Sequence, residues 1–180
     1  MIIDVWSFSE NFSKEVKEAK YIEMDDRELN FVEKCLNVYS YFTVFDFKLN
    51  YADLLKYDTI ISISDIFTNN YSDMMPLQED SVSLNGIISA ADFLDIPFLS
   101  ISVKRFKQSL AYSIKTDTYK LMNASAKGFN LLRQYLNQFK PEKVLIIYSH
   151  FDGYYSPKHI SVYNKILEIL NESNSDNSKS

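Results

Sequence analysis

Glycine is scarce in this sequence: three occur in 180 residues, and none precedes Gly86. A loop that wraps a phosphate with backbone N–H groups relies on glycine, so such a cradle is hard to build in the first half. Cysteine is scarcer. Cys35 stands alone, which excludes an intrachain disulfide and a thiolate metal site. His150 and His159 are the only histidines, too few for a histidine-built metal site. No metal and no cofactor are expected. No apolar run approaches the ~18 residues of a membrane-spanning helix. The opening "MIIDVWSFSE" meets an acid at Asp4 with no basic leader, unlike a secretory signal. The expectation is a cytoplasmic protein without membrane association.

Excess positive charge is also absent. Nineteen Lys and Arg face 24 Asp and Glu, a net charge of −5. A non-specific nucleic-acid binder shows a basic field, so no nucleic-acid partner is expected. The one compact basic run, Lys104 to Lys107, reads as a solvated loop. Aromatic side chains, by contrast, are plentiful at 15%. They have two readings: a coding sequence biased toward Phe and Tyr, or a surface that stacks bases or partner side chains.

Strand-like and helix-like segments alternate along the chain. "IIDVWSF" (Ile2 to Phe8), "YFTVFDF" (Tyr41 to Phe47), "TIISISD" (Thr59 to Asp65), "PFLSISV" (Pro97 to Val103) and "KVLIIYSH" (Lys143 to His150) are rich in β-branched and aromatic residues. "PFLSISV" is almost continuously apolar, as a parallel strand buried on both faces should be. The charged run Glu10 to Lys20 reads as a surface helix or loop. Helices are predicted after Asp25-Asp26, near Tyr51, from Leu84 to Leu94, from Thr116 to Pro141 as the longest, and from Pro157 onward. Asp95 and Pro97 close the third of these, and Cys35 lies in the first as a small core hydrophobe. The pattern predicts a single three-layer α/β domain over residues 1–170, with a mostly parallel sheet of about five strands and helices on both faces. Residues 171–180, rich in Asn, Ser and Asp, are expected to be a disordered tail.

In such folds ligands bind outside the carboxyl ends of the strands. That rule selects Ser7 and Ser9, Ser64 and Asp65, Ser102 and Lys104, and the run Ser149 to Gly153. Asp65 is a candidate acid–base group or sugar ligand, or else a loop cap. His150 is a candidate general base with Asp152 to orient it, or else both cap the following helix. The tyrosines Tyr119 and Tyr135 are candidates for a dimer interface.

The segment "TIISISDIF", a polar loop, "VSLNGIISAADFLDIPFLSISV" and "TDTYKLMNASAKGFNLLRQYL" together resemble the C-terminal half of the nucleoside phosphorylase and nucleosidase superfamily. The likeness covers residues 59–139. It implies that Leu84, Asn85 and Gly86 stand at that family's Met-Glu-Gly turn, with Leu84 against the sugar and Asn85 on its hydroxyls. The family's charge is missing at Asn85, and Val103 to Phe106 offers no carboxylate or amide for the base. The resemblance therefore implies a nucleoside or nucleotide binder, reduced catalytically, with Ser64, Leu84, Asn85, Gly86 and Lys104 for substrate; the strand-end reading, not the resemblance, adds Asp65, His150 and Asp152 as catalytic candidates, the last two for a hydrolase. The alternative is a non-catalytic interaction or scaffold domain working as a homo-oligomer or within a larger assembly.

Overall fold

The computed structural model describes residues 1–22, 51–64, 91, 94–103, 119–148 and 156–179. In chain order these form β1 (Ile2–Ser7), α1 (Glu10–Glu15), β2 (Ala19–Tyr21), α2 (Tyr51–Leu54), β3 (Thr59–Ser64), β4 (Phe98–Ser102), β5 (Tyr119–Asn123), α3 (Ala126–Phe139), β6 (Lys143–Tyr148) and α4 (Pro157–Lys179). The strands make one six-stranded sheet in the order β2-β1-β6-β3-β4-β5, and each pairing is parallel. The sheet is thus fully parallel, with six strands where the sequence suggested about five.

Two apolar layers clamp the sheet. On the first face, Val5, Ile61, Ile63, Leu99, Ile101, Val144 and Ile146 pack against Phe12 and Val16 of the α1 region, Leu132 and Leu136 of α3, and Val162, Tyr163, Ile166, Ile169 and Leu170 of α4. On the second, Trp6, Ile60, Phe98, Leu145 and Ile147 pack against Leu54, Tyr57, Ala91 and Ile96. Central strands buried on both faces read as largely apolar runs, "KVLIIY" most completely, whereas "TIISIS" keeps the buried Thr59 and Ser62 among its isoleucines. Trp6 is core, as its place in the first strand suggests.

Chain termination signals act as the sequence implies. Ala91 is helical; Asp95 takes a left-handed φ of 57°, and the Ile96 N–H reaches back to the Ala91 carbonyl at 2.8 Å. That six-to-one bond with an αL residue closes a helix, and Pro97 prevents its renewal. Lys140 ends α3 in the same conformation, φ 47°, one residue before Pro141.

Three expectations are corrected. The charged run after Glu10 divides into the short helix α1 and the edge strand β2, which pairs Val5 with Ala19 and Ser7 with Tyr21. The long helix does not begin at Thr116. Residues Tyr119–Asn123 are the strand β5, with Phe98 opposite Tyr119 and Ser102 opposite Asn123. Leu121 therefore belongs to a strand, and Ser125 is the N-cap of α3, its hydroxyl accepting the Gly128 N–H at 3.1 Å. Finally, α4 continues through Lys179 where a disordered tail was expected from Asn171. Ser173 is buried there, and Glu172 pairs with Arg133 of α3 at 3.0 Å. Tyr135, a candidate interface residue, is half-buried, stacked on Phe139 beside the core.

Candidate functional site: the carboxyl edge of the sheet

Because every strand points the same way, all carboxyl ends lie along one edge. Register fixes who meets there. Ser7 is opposite Tyr148, Tyr148 is opposite Ile63, Ser64 is opposite Ser102, and Ser102 is opposite Asn123. The chain steps from β1 outward to β2 by way of α1 on the first face. From β3 it steps outward to β4, in the other direction, through a segment whose helical residue Ala91 packs on the second face. Opposite directions on opposite faces give both crossovers the same hand, as the right-handed rule requires. The reversal falls between β1 and β3, where β6 lies. A crevice is expected at that point of a doubly wound sheet, above the tips of β1, β6 and β3.

On the first face the edge is built by a tight turn after β1. The Ser7 hydroxyl donates to the Ser9 carbonyl at 2.8 Å and accepts the Ser9 N–H at 3.0 Å. Ser9 in turn caps α1 by accepting the Phe12 N–H at 3.1 Å. Both serines are fully buried. These bonds place Phe12 flat against Tyr148, with ring centroids 4.2 Å apart and planes 6° from parallel. Tyr163 meets Phe12 edge-on at 5.5 Å, and His159 meets Tyr148 edge-on at 5.3 Å.

His159 was missed as a structural residue. It is 2% exposed, and its Nδ1 accepts the Ser156 N–H at 3.1 Å. It thus takes the place at the third helical position that Glu or Gln holds in a capping box. Its spacing from Val162, Tyr163 and Ile166 on one helical face was the available signal. Ile160 and Leu167 flank this stripe and are half-buried.

Two tyrosines tie the periphery to the sheet. Tyr163 donates to Glu18 Oε1 at 2.6 Å, and Tyr57 donates to Asp4 Oδ2 at 2.7 Å. Burial, reinforced by the neighbouring carboxylate, holds both hydroxyls well above the ordinary tyrosine range. The unfolded chain ionises these groups from about pH 10, while the folded one keeps them protonated to higher pH. Their contribution is therefore fully present below about pH 10 and is lost as pH climbs beyond it. Urea unfolding between pH 9 and 11.5 should show falling stability, and Tyr163→Phe should flatten that fall.

Of the predicted site residues, Ser64 is described through its backbone, at the register position facing Ser102. Asp65, Leu84, Asn85, Gly86, Lys104, His150 and Asp152 lie outside the described residues, as do the strand predicted at Tyr41 to Phe47, the helix after Asp25-Asp26 and Cys35. What topology adds is neighbourhood. The strands leading into Asp65 and into His150 are adjacent and in register to Ile63 and Tyr148. The strand leading to Lys104 is one further out. No protein-family model, curated protein or solved structure matches the chain.

Among the described residues no group of three His, Cys, Asp or Glu could hold a metal ion. None of the described helices is long and apolar enough to cross a membrane. Among the described residues the exposed large apolar side chains, Ile2, Tyr21 and Leu55, lie on separate segments.

Proposed function

We propose that the chain binds a nucleoside-class small molecule in the crevice at the carboxyl tips of β1, β6 and β3. One observation carries the location: β6 lies between β1 and β3 in a wholly parallel sheet, so the chain reverses direction there. The ligand class comes from the resemblance of residues 59–139 to nucleoside phosphorylases and nucleosidases. The last residues of β1, β6 and β3, Ser7, Tyr148 and Ser64, are polar and uncharged, which suits a polyhydroxylated, neutral ligand better than a polyphosphate. Asp65, at the end of β3, and His150 with Asp152, beyond β6, are the groups any N-glycosidic cleavage would draw on.

The test is a thermal-shift panel of adenosine, guanosine, inosine, cytidine and uridine at millimolar concentration. A ligand present at 100 times its Kd stabilises the native state by about 2.7 kcal/mol. In a chain of this size that raises the melting temperature by about 8 °C. No shift with any nucleoside would overturn the proposal.

A further inference from the structure

On the second face of the sheet, β3 and β4 change character halfway along. Ile60 and Phe98, which pair in register, are large, apolar and fully buried. Their next neighbours on that face, Ser62 and Ser100, are again register partners and again fully buried, and Ser102 follows at the tip of β4. On the first face the same strands keep Ile61, Ile63, Leu99 and Ile101 to the end. The buried serines Ser62, Ser100 and Ser102 are thus on one face and in the carboxyl half, while the other buried hydroxyl residue of β3, Thr59, lies at its amino end on the opposite face.

Ser62 is the informative member. It is 0% exposed, and its Oγ has no hydrogen-bond partner in the structure. A buried hydroxyl left unsatisfied is destabilising, and alanine or valine would fill a strand position beside Ile147 at no such cost. Serine here acts against stability, which is the pattern of a residue held for a ligand. A serine supplies one donor and two lone pairs but no charge. It matches a neutral hydroxyl, whereas a buried phosphate calls for a cation.

Resting on the nucleoside reading above, we propose that Ser62 Oγ is the specificity-determining anchor for a sugar hydroxyl of the bound nucleoside. Ser62, Ser100 and Ser102 form the floor of the crevice, and the sugar lies toward β4 from the tip of β6.

Calorimetric titration tests this with the five ribonucleosides and their 2′- and 3′-deoxy forms, against the wild type and Ser62→Ala. The wild type should prefer a ribonucleoside to one of its deoxy forms. Ser62→Ala should bind that ribonucleoside about 10-fold more weakly and lose the preference. Its ligand-free melting temperature should match the wild type's or exceed it by about 2 °C. Equal affinity and unchanged preference in Ser62→Ala would overturn the role of Ser62 and leave nucleoside binding standing. Failure of the wild type to bind any of these compounds would overturn both. A clear drop in the ligand-free melting temperature of Ser62→Ala would show that the hydroxyl has a structural partner, and would also overturn the proposal.

Discussion

Gly128→Ala should destabilise the protein by about 3 kcal/mol, lowering the melting temperature by about 10 °C. The sign is what makes the prediction sharp. Alanine is normally better than glycine inside a helix by about 1 kcal/mol, so propensity alone forecasts stabilisation. Here a Cβ on Gly128 would sit 1.7 Å from the Asn123 carbonyl oxygen and 2.8 Å from its carbon. Both are backbone atoms of the last residue of β5, so no side chain can swing aside. The turn is this tight because only Ala124 and Ser125 separate strand from helix. The Ser125 N–H bonds the Asn123 carbonyl at 2.9 Å, and the Ser125 hydroxyl receives the Gly128 N–H. Relief of the overlap would require β5 to leave β4 or α3 to leave the sheet, and either exposes core around Leu132 and Leu136. Thermal denaturation decides between the two signs. A melting temperature at or above the wild type's would mean that the β5–α3 turn has slack.

The same turn shows where sequence pattern was insufficient. Strands β1, β3, β4 and β6 were legible because burial on the sheet favours apolar, β-branched and aromatic runs. Strand β5 was not. "YKLMN" is short and only partly apolar, and Thr116-Asp117 offers a cap-like start that runs smoothly into the true stripe of Phe129, Leu132, Leu136 and Phe139. Its strand state comes from pairing with β4, a tertiary gain no local propensity records. Ser125 and Gly128, three residues apart, were the available clue to a later helix start. Strand β2 is three residues long at the edge next to β1 and sits inside a charged run that says helix or solvent. The candidate site was legible as a set of strand ends, because parallel strands must end together. Its arrangement was not, since strand order is fixed by how helices cross the sheet. Only the order β1-β6-β3 makes the tips before His150 and Asp65 neighbours, and only coordinates expose the unsatisfied Ser62 hydroxyl.

Phe12→Ala should cost about 3–5 kcal/mol, the range for removing a fully buried phenylalanine. Helix α1 has six residues, too few to persist alone in water. Two devices hold it: the Ser9 cap, and Phe12, which is 0% exposed between Tyr148 and Tyr163. The cap contributes about 1 kcal/mol, so the ring contributes most of the hold. Truncating it opens a cavity over the tips of β1 and β6 and frees α1 from the edge where the crevice is proposed. Two measurements separate general loss from local release. The urea midpoint should fall with the slope preserved, which reports lost stability without a change in the unfolded state. Amide exchange should accelerate first at Ser13 and Val16, whose N–H groups bond the Ser9 and Phe12 carbonyls within α1. Combining Phe12→Ala with Tyr148→Leu should cost less than the sum of the two, by at least about 0.5 kcal/mol, because the stacked pair can be broken only once. Strict additivity would mean that the two rings touch without supporting each other, and that something other than their stacking seats α1 on the carboxyl edge.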